Sequence, residues 1–126
     1  DIMKSKFLWS VLPVVVLIVA VAMFLPKPID TNLEKIGNGQ GSVVFIYDPN
    51  LVVSTQQASE MKSAMERIGD RANFLLVRAG DPTTDDFKQQ YQTRSADLLF
   101  FNGDGELFGR DVAVVPADVL IERITD

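Results

Sequence analysis

Cysteine and histidine are both absent from the 126 residues. Without a thiol there is no disulfide and no thiol–disulfide exchange, and without Cys or His the usual zinc and iron ligands are missing. Imidazole acid–base catalysis and Ser-His-Asp triads fall with them. A chain with no cysteine also carries no record of its redox compartment. Positive charge is scarce. Setting aside Lys4 and Lys6 from the twelve basic residues and Asp1 from the seventeen acidic ones leaves ten against sixteen from Lys27 onward. Such a surface repels phosphate backbones, so nucleic acid is not an expected partner, and it offers no polybasic patch to anionic lipid. Phosphate loops, dinucleotide fingerprints, internal repeats and low-complexity tracts are likewise missing.

The sequence does contain a long uncharged stretch. Phe7–Leu25 (FLWSVLPVVVLIVAVAMFL) carries no charge and is nearly all apolar. As a helix at about 1.5 Å per residue it would run roughly 28 Å, close to the thickness of a bilayer's hydrocarbon core. Lys4 and Lys6 ahead of it, and Ala20-Val21-Ala22 within it, outline a secretory signal. The run exceeds the usual ~7–15 residue signal core. It also continues through Met23-Phe24-Leu25 past the candidate cut. A retained single-pass anchor is therefore expected over residues 1–26, tying the protein to the bilayer. Trp9 would sit at the interface, and Pro26 and Pro28 stop the helix. Ser10, Ala20 and Ala22 would permit close approach of other membrane helices, although no GxxxG motif is present; other membrane protein subunits are expected partners, with a plain lipid-facing anchor as the alternative. Lys4 and Lys6 flank one end closely, whereas Lys27 and Lys35 are interleaved with Asp30 and Glu34. That places the amino terminus in the cytoplasm and the remaining domain outside it, periplasmic if the source is bacterial.

Pro26–Gly41 ends in Gly37-Asn38-Gly39-Gln40-Gly41, a composition that predicts a flexible linker, assigned to 27–41. The domain then occupies 42–126. Ser42–Tyr47 (SVVFIY) is a continuous apolar run suited to a buried central strand. Ser54 and Gln57 have capping-box spacing ahead of a helix whose apolar stripe is Ala58, Met61, Ala64, Met65 and Ile68, ended by Gly69. Asn73–Ala79 reads as a second strand. Thr83 and Asp86, again at capping-box spacing, open a helix to about Tyr91. Asp97–Phe101 is a third strand, Asn102-Gly103-Asp104-Gly105 a hairpin turn, and Glu106–Arg110 a fourth strand. Pro116 opens a closing helix carrying Val119, Leu120 and Ile124 on one face. The order is β-α-β-α-β-β-α: an α/β domain with a mixed four-stranded sheet covered by helices.

That order, with the "NGDGE" turn where the family has a "KNGE"-like one, resembles the core of the thioredoxin fold over Ser42 to roughly Ile124. The family's chemistry does not follow. Its W-C-x-x-C loop falls on Asn50-Leu51-Val52-Val53-Ser54, so the two cysteines become Leu51 and Ser54. Its cis-proline falls near Ala96, and its buried acid on Phe45. The resemblance therefore implies a redox-inactive member, with no cofactor, and a groove that accepts extended peptide.

Leu51-Val52-Val53, at the corner left by the missing motif, and Ala96 beside it are the candidate protein-contact residues. An exposed apolar corner marks a contact surface, while tucking beneath the helix as a hydrophobic staple is the alternative. Asn102–Glu106 lacks the order and the distal bidentate Glu of a calcium loop, so no metal is expected there. Asp81, Asp85 and Asp86 read as helix-start partners, Asp48 as turn chemistry, and Glu60 and Glu66 as a solvated helix face. The leading expectation is a non-catalytic accessory or assembly subunit of a larger membrane complex. A membrane-tethered chaperone using the former active-site groove is the rival, distinguished by whether Leu51–Val53 stand free. An enzyme of another type would need clustered polar groups in a pocket, and this chain supplies few.

Overall fold

The computed structural model describes Val16 and residues 28–125. The expected anchor, with Trp9, Ser10, Ala20 and Ala22, lies outside the described residues. Among those residues no helix is long and apolar enough to cross a membrane.

Seven elements appear in the expected order: β1 (Ser42–Tyr47), α1 (Val52–Ile68), β2 (Asn73–Arg78), α2 (Asp85–Tyr91), β3 (Asp97–Phe101), β4 (Leu107–Val112) and α3 (Ala117–Thr125). The sheet order is β2-β1-β3-β4. β1 runs parallel to β2 and antiparallel to β3, and β3 pairs antiparallel with β4. β1 and β3 are therefore the inner strands, which is why their sequences are apolar on both faces. Val43, Phe45, Leu98 and Phe100 face α1 and α3, joined by Met61, Ala64 and Leu120. Val44, Ile46, Leu99 and Phe101 face the other side, under Phe87 and Tyr91 of α2. There the Tyr91 and Phe101 rings meet edge to face at 5.2 Å.

Residues 28–41, expected as a flexible linker, are instead laid against the domain. Asp30 bridges Leu75 in parallel on the outer edge of β2, and its carbonyl accepts the Leu76 N–H at 2.8 Å. Ile29 packs on the α1 face of the sheet, while Leu33 and Ile36 pack on the α2 face. The segment thus lies along the β2 edge and pairs part of its open backbone. Its apolar residues are spaced too irregularly to show as an element in sequence. The Asn73 side chain fastens it further, donating to the Lys35 carbonyl at 3.2 Å and the Ser42 hydroxyl at 3.0 Å.

Asp30 also accepts from the Lys35 ammonium and from the Asn32 N–H, and the Lys35 bond holds its carboxyl below the usual value. A depressed carboxylate stabilises the fold fully above its unfolded value, near pH 4, and ceases to do so as pH falls through the lower folded value. Amide protection across 28–36 is therefore expected to fall below about pH 4 in wild type. With Lys35→Met that step should shrink in mass-spectrometric hydrogen exchange.

The glycine-rich stretch earns its composition by close backbone contact rather than by mobility. The Gly39 N–H donates to the Gly103 carbonyl at 3.0 Å. A Cβ on Gly103 would meet the Gly39 carbonyl oxygen at 2.8 Å. Gly103→Ala must push two backbones apart, and a loss of about 1–3 kcal/mol in urea unfolding is expected.

Two expected caps are placed differently. α1 starts at Val52, with Leu51 as its N-cap residue and no side-chain cap bond. Thr83 is not a cap: Asp81 accepts its N–H at 2.9 Å and its hydroxyl at 2.7 Å, ordering the 3-10 turn Pro82–Thr84 ahead of α2. Aspartate outcompetes threonine because a charged acceptor makes the stronger bond.

Candidate functional site

Three loops meet where β1 ends: residues 48–51 between β1 and α1, 92–96 between α2 and β3, and 113–116 between β4 and α3. Asp48 ties the first two together. Its N–H donates to the Ser54 hydroxyl at 3.0 Å, and its carboxylate accepts the Asn50 N–H at 2.9 Å and the Ser95 hydroxyl at 3.0 Å. Ala96 links its loop to the end of β1 and to the third loop. Its N–H donates to the Ile46 carbonyl and its carbonyl accepts from Ala113 N–H, both at 2.9 Å.

Gln57 holds the third loop. It is fully buried on α1, its amide nitrogen donates to the Val115 carbonyl at 2.9 Å, and its amide oxygen accepts the Val115 N–H at 2.6 Å. Both backbone groups of a residue that is itself buried are satisfied by one side chain. Gln57 therefore pins the loop and does not cap a helix. Ser54 is also fully buried, its hydroxyl spent on Asp48. Glu60, expected on a solvated face, reaches across and accepts the Ala117 N–H at 3.0 Å, capping α3 from outside. Arg67 of α1 pairs with Asp118 of α3 beside it.

The candidate contact residues divide. Val52 is 76% exposed and Leu51 37% exposed, so both stand at the surface. Val53 turns inward and packs against the core, as a staple would. Ala96 is only 5% exposed and both its backbone groups are taken, so it offers no side chain to a partner. It also sits at φ +73°, and its small side chain is accommodated in the core. In its place the structure brings Val114, 40% exposed, onto the third loop at the same end. Sequence reading missed Gln57 and Val114. The signal for Gln57 was available: Ser54, Gln57, Met61, Ala64 and Ile68 share one helix face, and all are buried.

What this corner can do chemically is limited. Its hydroxyls are those of Ser54 and Ser95, both bonded to Asp48, and of Thr93, buried without a partner, with no imidazole or thiol to activate them. Among the described residues, Asp81 is also held below the ordinary carboxyl value, chiefly by the Thr83 hydroxyl, and neither it nor Asp30 bonds any residue of the three loops. No group of His, Cys, Asp and Glu among the described residues could hold a metal ion.

No family model matches the sequence, and no curated protein does. Solved structures do. A thioredoxin-like protein from Clostridium perfringens superposes with a TM-score of 0.69 at 13% identity, over 81% of this chain and 82% of that one. Chloroplastic thioredoxin z gives 0.66 at 12% identity, over 80% and 95%. The exposed lipoprotein thioredoxin of Streptococcus pneumoniae gives 0.62 at 13% identity, over 71% and 86%. The domain is a thioredoxin-like fold with no cysteine in it.

Proposed function

On this thioredoxin-like fold without thiols, we propose a non-catalytic, membrane-anchored accessory subunit that works through protein contacts. The observation that carries the reading is the corner itself. Where the fold's redox motif would stand, Leu51 and Val52 are exposed, and the serine in the second cysteine's place is buried and bonded. Exchange chemistry has no nucleophile there, whereas an apolar corner on a loop held by Asp48 and Gln57 is suited to contact. The anchor reading is supported by the length and lack of charge of Phe7–Leu25. One protein of similar fold is an exposed lipoprotein thioredoxin, which is compatible with an anchored domain.

In this reading the span docks beside other membrane subunits, and the domain braces an extramembrane surface of the same assembly. The exposed Leu51, Val52 and Val114 also suit a tethered chaperone that holds extended polypeptide. Native electrophoresis of membranes solubilised in mild detergent separates the two. An accessory subunit migrates as a discrete large band. Migration as the chain alone removes the subunit reading and leaves the chaperone.

A further inference from the structure

The two ends of the sheet have different owners. The parallel bridge between Asp30 and Leu75 sets Pro28 level with Asn73, at the end where β1 and β2 begin. Pro28 lines one cavity there with Gly69, Asp70 and Asn73. The Gly39–Gly103 backbone contact closes the same end. Leu51 and Val52 follow Tyr47, at the opposite end of β1. Six strand residues separate the ends, or about 20 Å.

Resting on the anchor reading, we propose that the domain stands upright on the bilayer: the Pro28 end meets the lipid headgroups and the Leu51–Val52 corner points away. Between Leu25, the last residue of the apolar run, and Ile29, the first packed one, only Pro26, Lys27 and Pro28 intervene. Fully extended they span about 10–13 Å, and two of the three are prolines, which stiffen the link. The docked 28–36 segment then passes the span's position directly to the β2 edge. The bilayer-facing end is polar and of mixed charge, with Asp70 and Asp104 exposed on it beside Lys62 and Arg71. The whole domain carries excess negative charge, so nothing draws its sides flat onto anionic lipid. The lipid contact is thus one of position, and the apolar corner is presented to partners at a fixed height.

The absence of cysteine makes the test clean, because each introduced thiol is unique. Full-length Asp70→Cys, Asp104→Cys and Asn50→Cys variants, each with a donor dye, are reconstituted in phosphatidylcholine vesicles containing acceptor-labelled headgroups. Energy transfer from positions 70 and 104 is expected to exceed that from position 50 roughly threefold, given the ~20 Å difference in height. Equal transfer, or greater transfer from position 50, overturns the proposal. A flexible Gly-Ser stretch inserted between Lys27 and Pro28 should abolish the difference. A difference that survives the insertion also overturns it, since the short link would not be its cause. A chain that does not float with the vesicles defeats the anchor itself, a failure distinct from a floating chain whose labels transfer equally.

Discussion

Gln57→Leu lowers the free energy of unfolding by about 2–4 kcal/mol, because the Val115 N–H and carbonyl lose their one partner while staying buried. For a domain of this size that is a fall of roughly 10–25 °C in melting temperature. Leucine nearly preserves the volume, so the loss measures unsatisfied backbone groups and not a cavity. Gln57→Ala should cost more, since it adds the cavity.

Gln57→Glu gives a sharper signature. The glutamate can still accept the Val115 N–H, but once ionised it has no proton for the Val115 carbonyl. Burial disfavours the charged form and raises its folded pKa above the unfolded value near 4.3. A group with a raised folded pKa contributes fully below the unfolded value and loses that contribution as pH rises through the folded one. Stability of this variant should therefore fall with rising pH above about 4, relative to wild type at each pH. Urea midpoints across that range decide it; a parallel pair of curves would mean the side chain does not hold the loop.

Val52→Asp separates folding from contact. Val52 lies in the first turn of α1, which has no acidic residue and whose N-cap Leu51 makes no side-chain bond. An aspartate there faces the positive end of the helix dipole and should raise stability by about 0.3–1 kcal/mol. Being 76% exposed, Val52 gives up little packing. At a protein interface the same substitution buries a charge against an apolar surface, which costs several kcal/mol and so at least about tenfold in affinity. The expected result is a domain that melts slightly higher and recovers far less partner. Wild-type recovery by this variant would move the contact away from the Leu51–Val52 corner.

Which features the sequence exposes follows from what each residue touches. SVVFIY and DLLFF are readable as strands because β1 and β3 are inner strands, buried on both faces. The NGDG turn is readable because Asn102 accepts the Asp104 and Glu106 N–H groups, the local chemistry its type predicts. Gln57 and Glu60 are not, because each bonds a residue more than fifty positions away, and a capping-box spacing explains Gln57 equally well in sequence. The docking of 28–41 is hidden for a related reason. Glycines that permit two backbones to cross have the same composition as glycines that permit motion. At the site, Leu51 and Val52 are exposed, while Ala96 is buried, donating to Ile46 and accepting from Ala113 in bonds that no local pattern shows.

The most direct test of the account is purification of the chain from detergent-solubilised membranes of its source cells, through a tag after Asp126, with mass spectrometry of what accompanies it. A stoichiometric set of membrane subunits is the predicted result, lost on Val52→Asp. Recovery of the chain alone, or with a smear of unrelated polypeptides at low yield, would contradict it.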